Sequence, residues 1–240
     1  MAEGPGNGLP ATAGQHLRLG LRTRPEAGAP GTGALAAGLV AAVAAFTATF
    51  RGPRPRFWQR MTATGLSLGC FALLASRPSR STRIRPSDVP LGLASAATLY
   101  VTFAAGDRFA RRFVPTGERE IRDIYALRTL RPRGEIATRL AFIIGPAEEL
   151  FWRGLVQNAL MRRFGRWRGA ALAAGAYGGV HVVTGNFTLF GAAGIAGAHW
   201  CALYAAGVPL GALVVSHITW DVWIFLVQPT GELGQPVAAA

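Results

Sequence analysis

Beyond residue 33 the chain alternates apolar stretches with short connections that carry arginine. The stretches fall at 33–50, 61–76, 89–106, 137–160, 169–184, 187–206 and 208–227. A helix needs about 20 predominantly apolar residues to cross the hydrocarbon core of a bilayer. A soluble helix of that length would instead show one apolar stripe and one polar face. The pattern predicts an all-α protein, a multi-pass transmembrane helical bundle of about seven spans.

Residues 107–135 interrupt the pattern with eight arginines and five acids. Ile121, Ile124, Leu127 and Leu130 recur every three residues in that charged background. This spacing predicts a surface amphipathic helix ahead of the last four spans, or a solvated helical connector. Four segments follow: a flexible Gly-, Pro- and Ala-rich tail over 1–32, transmembrane hairpins and the basic connector over 33–136, a transmembrane core over 137–227, and a C-terminal tail over 228–240.

The formal charge of +13 comes from arginine alone, since the chain has no lysine. A nucleic-acid-binding protein would gather its cations on one face of a soluble fold. Here they lie between apolar runs, where they meet the anionic head groups of a lipid bilayer, and no nucleic-acid partner is expected. Alternating the connections across seven spans puts 11 loop arginines on one side and 12 on the other, so charge does not set an orientation. Cys70 and Cys201 sit in separate apolar runs and read as small packing residues.

The stretch from Gly145 to Leu155, GPAEELFWRGL, puts Glu148, Glu149 and Arg153 into an apolar segment. A charge at bilayer depth costs from about 3 to over 10 kcal/mol, so such residues face a wet cavity or a partner. Glu149 and Arg153 are four apart with the acid first, the favourable order for a helical ion pair. Glu148 points roughly 100° away around the helix and has no local cation. Pro146 leaves a carbonyl of the preceding turn unpaired and favours a kink, so Glu148 is a candidate site residue.

Three of the four histidines, His181, His199 and His217, lie in the last three apolar segments. Tyr177 precedes His181 by four residues and Asp221 follows His217 by four, so each pair projects from one helix face. His199 has only Trp200 and Cys201 beside it and reads as a packing residue. Glycines spaced by three or four at 175/179, 191/194/197 and 207/211 predict close helix approach.

Glu-Glu-x-x-x-Arg at 148–153, Tyr-x-x-x-His at 177–181 and His-x-x-x-Asp at 217–221 stand in order on separate spans. Together they resemble the CPBP intramembrane proteases. That group includes the type II CAAX prenyl endopeptidases and bacterial proteins associated with bacteriocin processing and self-immunity. The stretch EELFWRGLVQNAL also reproduces the family's Arg-Gly and the apolar and amide pattern after it. The resemblance covers about residues 137–227. It departs at Tyr177, where the family usually has Phe, and at Asp221, which is Asn in many members and Asp in others.

The resemblance implies an endopeptidase of the cell membrane acting on a membrane peptide or a lipidated protein. It implies that Glu148 and His181 activate a water, while His217 and Asp221 bind the oxyanion. The residues themselves agree that Glu148 is the natural base, because peptide hydrolysis needs a nucleophilic water, an oxyanion site and a proton for the leaving amine. Glu149, Arg153 and Tyr177 take supporting roles. No cofactor is expected; the alternative is zinc on Glu148, His181, His217 and Asp221. Two other classes compete: an ion- or proton-coupled transporter, which would show repeat-like halves, and a non-catalytic partner or immunity protein on the same scaffold.

Overall fold

The computed structural model describes residues 31–230, which are helical with no strand among them. The tails expected over 1–32 and 228–240 lie almost wholly outside the described residues. Helix α1 spans Thr32–Phe50, α2 Phe57–Ala75, α3 Arg77–Ser81, α4 Asp88–Phe113 and α5 Gly117–Tyr125. A continuous helical run then covers 133–164. Within it, α6 (Arg133–Arg139), α7 (Gly145–Glu149) and α8 (Asn158–Phe164) are joined by π-helical turns at Leu140–Ile144 and Leu150–Gln157. Helices α9 (Arg166–Val180), α10 (Phe187–Ala206) and α11 (Leu210–Val222) complete the bundle, and α11 runs on as a π turn over Trp223–Val227.

Four helices are long and apolar enough to cross a membrane: Thr32–Phe50, Asp88–Phe113, Phe187–Ala206 and Leu210–Val227. They make this a membrane protein with an all-α bundle. The other expected spans are helical but more polar or shorter. Helix α2 carries Gln59 and Arg60 in its first turn, 137–160 holds two glutamates and two arginines, and α9 has 15 residues. Helix α4 continues past the expected end at 106 to Phe113 and stops before Pro115. Asp107 therefore lies on a membrane helix and not in a connector.

Helix α5 is amphipathic, with Ile121 buried and Glu118 paired outward with Arg122 at 3.5 Å. It is bound to the start of α10. The Glu120 carboxylate accepts hydrogen bonds from the Thr188 amide and hydroxyl, both at 2.8 Å, and from the Thr116 hydroxyl at 2.9 Å. The Thr188 amide belongs to the first helical turn and has no partner within the helix, so the carboxylate satisfies a donor the helix leaves open. Asn186 caps α10 by accepting from the Leu189 amide at 2.7 Å and donates to the Glu120 carbonyl at 3.0 Å. Burial pushes the Glu120 carboxyl up, but the bonds from Thr188 and Thr116 outweigh it and hold this group below its ordinary value.

The kink expected at Pro146 takes the form of the two π turns that flank α7. A wide turn leaves carbonyls poorly paired, and α3 lies alongside to take two of them. Ser79 donates to the Leu150 carbonyl at 2.9 Å and Ser76 to the Gly154 carbonyl at 2.7 Å. Gly154 is required at this contact because a Cβ there would collide with the Ser79 hydroxyl. Close approach of α9 and α10 uses Gly194 and Gly197 of the expected set, together with Gly178. Gly178 faces Gly194, and Gly197 leaves room for the Tyr177 ring, whereas Gly175, Gly179 and Gly191 face open space.

Candidate active site

Helices α1, α2, α4, α5, α9, α10 and α11 and the 133–164 run all contribute residues to the lining of a partly open cavity of about 430 Å³. Its walls are largely apolar, including Phe103, Ile124, Ile144 and Phe225. Glu148, Tyr177, His181, His217 and Asp221 all line it, so residues from three separated stretches of sequence share one space. Trp220 lines it as well. Trp152 lies behind the wall, edge-on to Tyr177 with centroids 5.3 Å apart, and Trp223 is exposed and takes no part.

Glu148 is buried, and the Tyr177 hydroxyl donates to its Oε2 at 3.1 Å. His181 opens the 3-10 turn that follows α9, with Nδ1 2.8 Å from the Tyr177 carbonyl oxygen. A carbonyl only accepts, so Nδ1 carries the proton and Nε2 keeps its lone pair. Phe46 packs against the His181 ring at 5.1 Å, which brings α1 into the surroundings of the site.

Glu149 lies on the same helix and is fully buried on another face. Its Oε1 accepts from Arg153 Nη1 at 2.8 Å, as the spacing predicts, and also from His217 Nδ1 at 2.7 Å. Nothing in the sequence spacing points to the second bond, because the four-residue interval pairs His217 with Asp221 instead. Asp221 Oδ2 stands 3.5 Å from His217 Nε2, too long for a hydrogen bond.

The face of His217 stacks on Trp200 at 4.1 Å and 20°. Trp200 Nε1 donates to the Ser216 hydroxyl at 3.0 Å, and the Arg153 guanidinium packs over both Trp200 (5.1 Å) and Tyr177 (4.8 Å). His217 is thus fixed at one edge by a carboxylate and at one face by an indole. Its Nε2 edge is left towards Asp221 and the cavity. His199 does not line the cavity; its Nε2 lies 3.0 Å from the Ser95 hydroxyl, which in turn lies 2.8 Å from Ser216.

Trp200, Ser216 and Ser95 carry no signal in the sequence, because isolated serines and a tryptophan in apolar helices are ordinary. No group of three or more His, Cys, Asp or Glu side chains among the described residues could hold a metal ion.

What remains is a cavity holding a carboxylate and two differently held histidines, the equipment of a hydrolase. Residues 136–223 match the family model for type II CAAX prenyl endopeptidase Rce1-like domains. The matched segment contains every motif residue that carries the CPBP resemblance, from Glu148 to Asp221. The matched family is one of CAAX-type intramembrane endopeptidases, and the match covers less than half of the chain. No curated protein and no solved structure matches the chain. The helices ahead of the Rce1-like segment supply part of the cavity wall through Phe50, Phe57, Phe103 and Ile121.

Proposed function

We propose that the protein is a multi-pass endopeptidase of the cell membrane that hydrolyses a peptide bond in a membrane peptide or lipidated protein. The observation that carries the reading is the convergence of Glu148, His181, His217 and Asp221 on one apolar cavity. Buried polar groups are costly unless they are paired or used, and these four share a space large enough for a peptide segment and a water.

In this reading, Glu148 takes a proton from a water that His181 Nε2 also holds. The Tyr177 hydroxyl occupies Oε2, which leaves Oε1 for the water. The water oxygen bonds to the scissile carbonyl carbon, and the carbonyl electrons move onto oxygen. His217 Nε2 and Asp221 flank that oxyanion, with His217 acting as an imidazolium whose charge Glu149 balances. Collapse re-forms the carbonyl, breaks the C–N bond, and passes the proton from Glu148 to the leaving amine.

Water activation in this reading needs no bound metal, so prolonged chelation of the purified protein is expected to leave its rate unchanged. The test of the whole reading is the appearance of new peptide termini, read by mass spectrometry, when the protein in lipid vesicles meets a library of membrane peptides. Termini are expected with the intact protein and not with Glu148→Gln. Equal products from both would remove Glu148 from the mechanism, and none from either would defeat the hydrolase reading.

A further inference from the structure

The chain is cationic throughout its connections, yet no arginine among the described residues lines the 430 Å³ cavity. Three carboxylates do: Glu148, Asp221 and Asp107. The first two belong to the motifs. Asp107 does not, and nothing in the proposed reaction uses it.

Asp107 sits on the last part of α4, with its side chain 8 % exposed. Arg111 Nε holds Oδ2 at 2.9 Å from one turn further along the helix. Oδ1 is buried and has no hydrogen-bond partner among the described residues. One oxygen of this carboxylate is satisfied and the other is not, and Asp107 is among the residues that line the apolar cavity. Such an oxygen favours a donor strongly, and a charged donor most. Arg108, the next residue on α4, donates to the Ala104 carbonyl at 3.2 Å, and Arg54 and Arg119 line a separate polar crevice.

We propose that Asp107 is a substrate-recognition residue whose free Oδ1 binds a cationic group, a lysine or arginine side chain or a free amine, on the peptide held in the cavity. The proposal deepens the endopeptidase reading and rests on it. The peptides cleaved carry a basic residue displaced from the scissile bond, and the Asp107 carboxylate draws it into a cavity that none of the described arginines lines.

The test uses one cleaved membrane peptide and versions in which a single lysine, norleucine or glutamate is moved along the positions flanking the scissile bond. At one position lysine raises kcat/KM over norleucine about tenfold or more, the worth of a charge-assisted hydrogen bond, and glutamate lowers it. Asp107→Asn collapses that ratio to near unity, mostly through KM. Arg111→Gln, which breaks the same ion pair from its other side, keeps the ratio. No lysine preference at any position, or a preference that survives in Asp107→Asn, overturns the proposal. So does equal loss of the ratio in both variants, which is the mark of a merely structural ion pair. Binding of the same peptides to Glu148→Gln gives a readout independent of turnover. If the intact protein cleaves nothing while Glu148→Gln still binds the lysine peptide more tightly than the norleucine one, the hydrolase reading fails and the Asp107 site stands.

Discussion

Glu148 and Glu149 are neighbours in sequence, equally deep in the protein, and held in opposite ways. Glu149 is tied by one oxygen to Arg153 and His217 and has no access to the cavity. Glu148 accepts a single hydrogen bond, from Tyr177, and lines the cavity. A rotation of roughly 100° along one helix separates a carboxylate that holds the scaffold from one that is free to react. Local composition cannot distinguish them; the partners on α9 and α11 do.

The comparison breaks first at Glu148. Glu148→Gln keeps shape and burial, so the expected outcome is loss of turnover by a factor on the order of 10³ or more with little change in thermal stability. A variant that unfolds instead would make Glu148 a scaffold residue like its neighbour. Glu149→Ala should do the reverse, costing about 3–5 kcal/mol of stability because the Arg153 charge is left buried and unpaired. Swapping the charges of Glu149 and Arg153 should not restore the stability, since His217 also depends on a carboxylate at 149. Full recovery by the swap, read in the melting of the purified protein, would show that the His217 bond contributes nothing.

Smaller effects sharpen the picture of His217. Asp221→Asn is expected to retain most activity and Asp221→Leu to lose about a hundredfold, as for an oxyanion donor. A dead Asn variant that still folds would show that the negative charge itself is required. Ser216→Ala frees the Trp200 indole and removes two hydrogen bonds, to Trp200 and to Ser95, about 1 kcal/mol each, lowering kcat several-fold with KM unmoved. The smallest effect concerns Glu120, whose carboxyl is held below its ordinary value in the folded state. Its contribution is complete at neutral pH and is lost as pH falls through the depressed folded value. Hydrogen exchange over residues 117–125 should therefore quicken selectively only below about pH 4.

The helical class, the surface helix and the Glu149–Arg153 pair were legible because each depends on spacing within one segment. The likeness of residues 136–223 to the Rce1-like family was legible because three short motifs keep their order. The Glu149–His217 bond was not, since it joins residues far apart in sequence, and a four-residue interval drew attention to Asp221 as the nearer candidate. Asp107 was hidden by an apolar run that ends at Gly106, whereas the helix itself continues to Phe113. The π turns had no signature beyond Pro146, because their stability comes from Ser76 and Ser79 on another helix.

The bond between Glu149 and His217 also bears on how the protein is made. The 133–164 run leaves the ribosome well before α11, and Glu148, Glu149 and Arg153 within it make it a poor candidate for membrane insertion on its own. Until α11 arrives, Glu149 has Arg153 alone, and Trp200 has neither the Ser216 hydroxyl nor the His217 ring beside it. The bundle is therefore sealed by its last helix, and chains truncated before residue 210 are substrates for quality control rather than smaller working proteins.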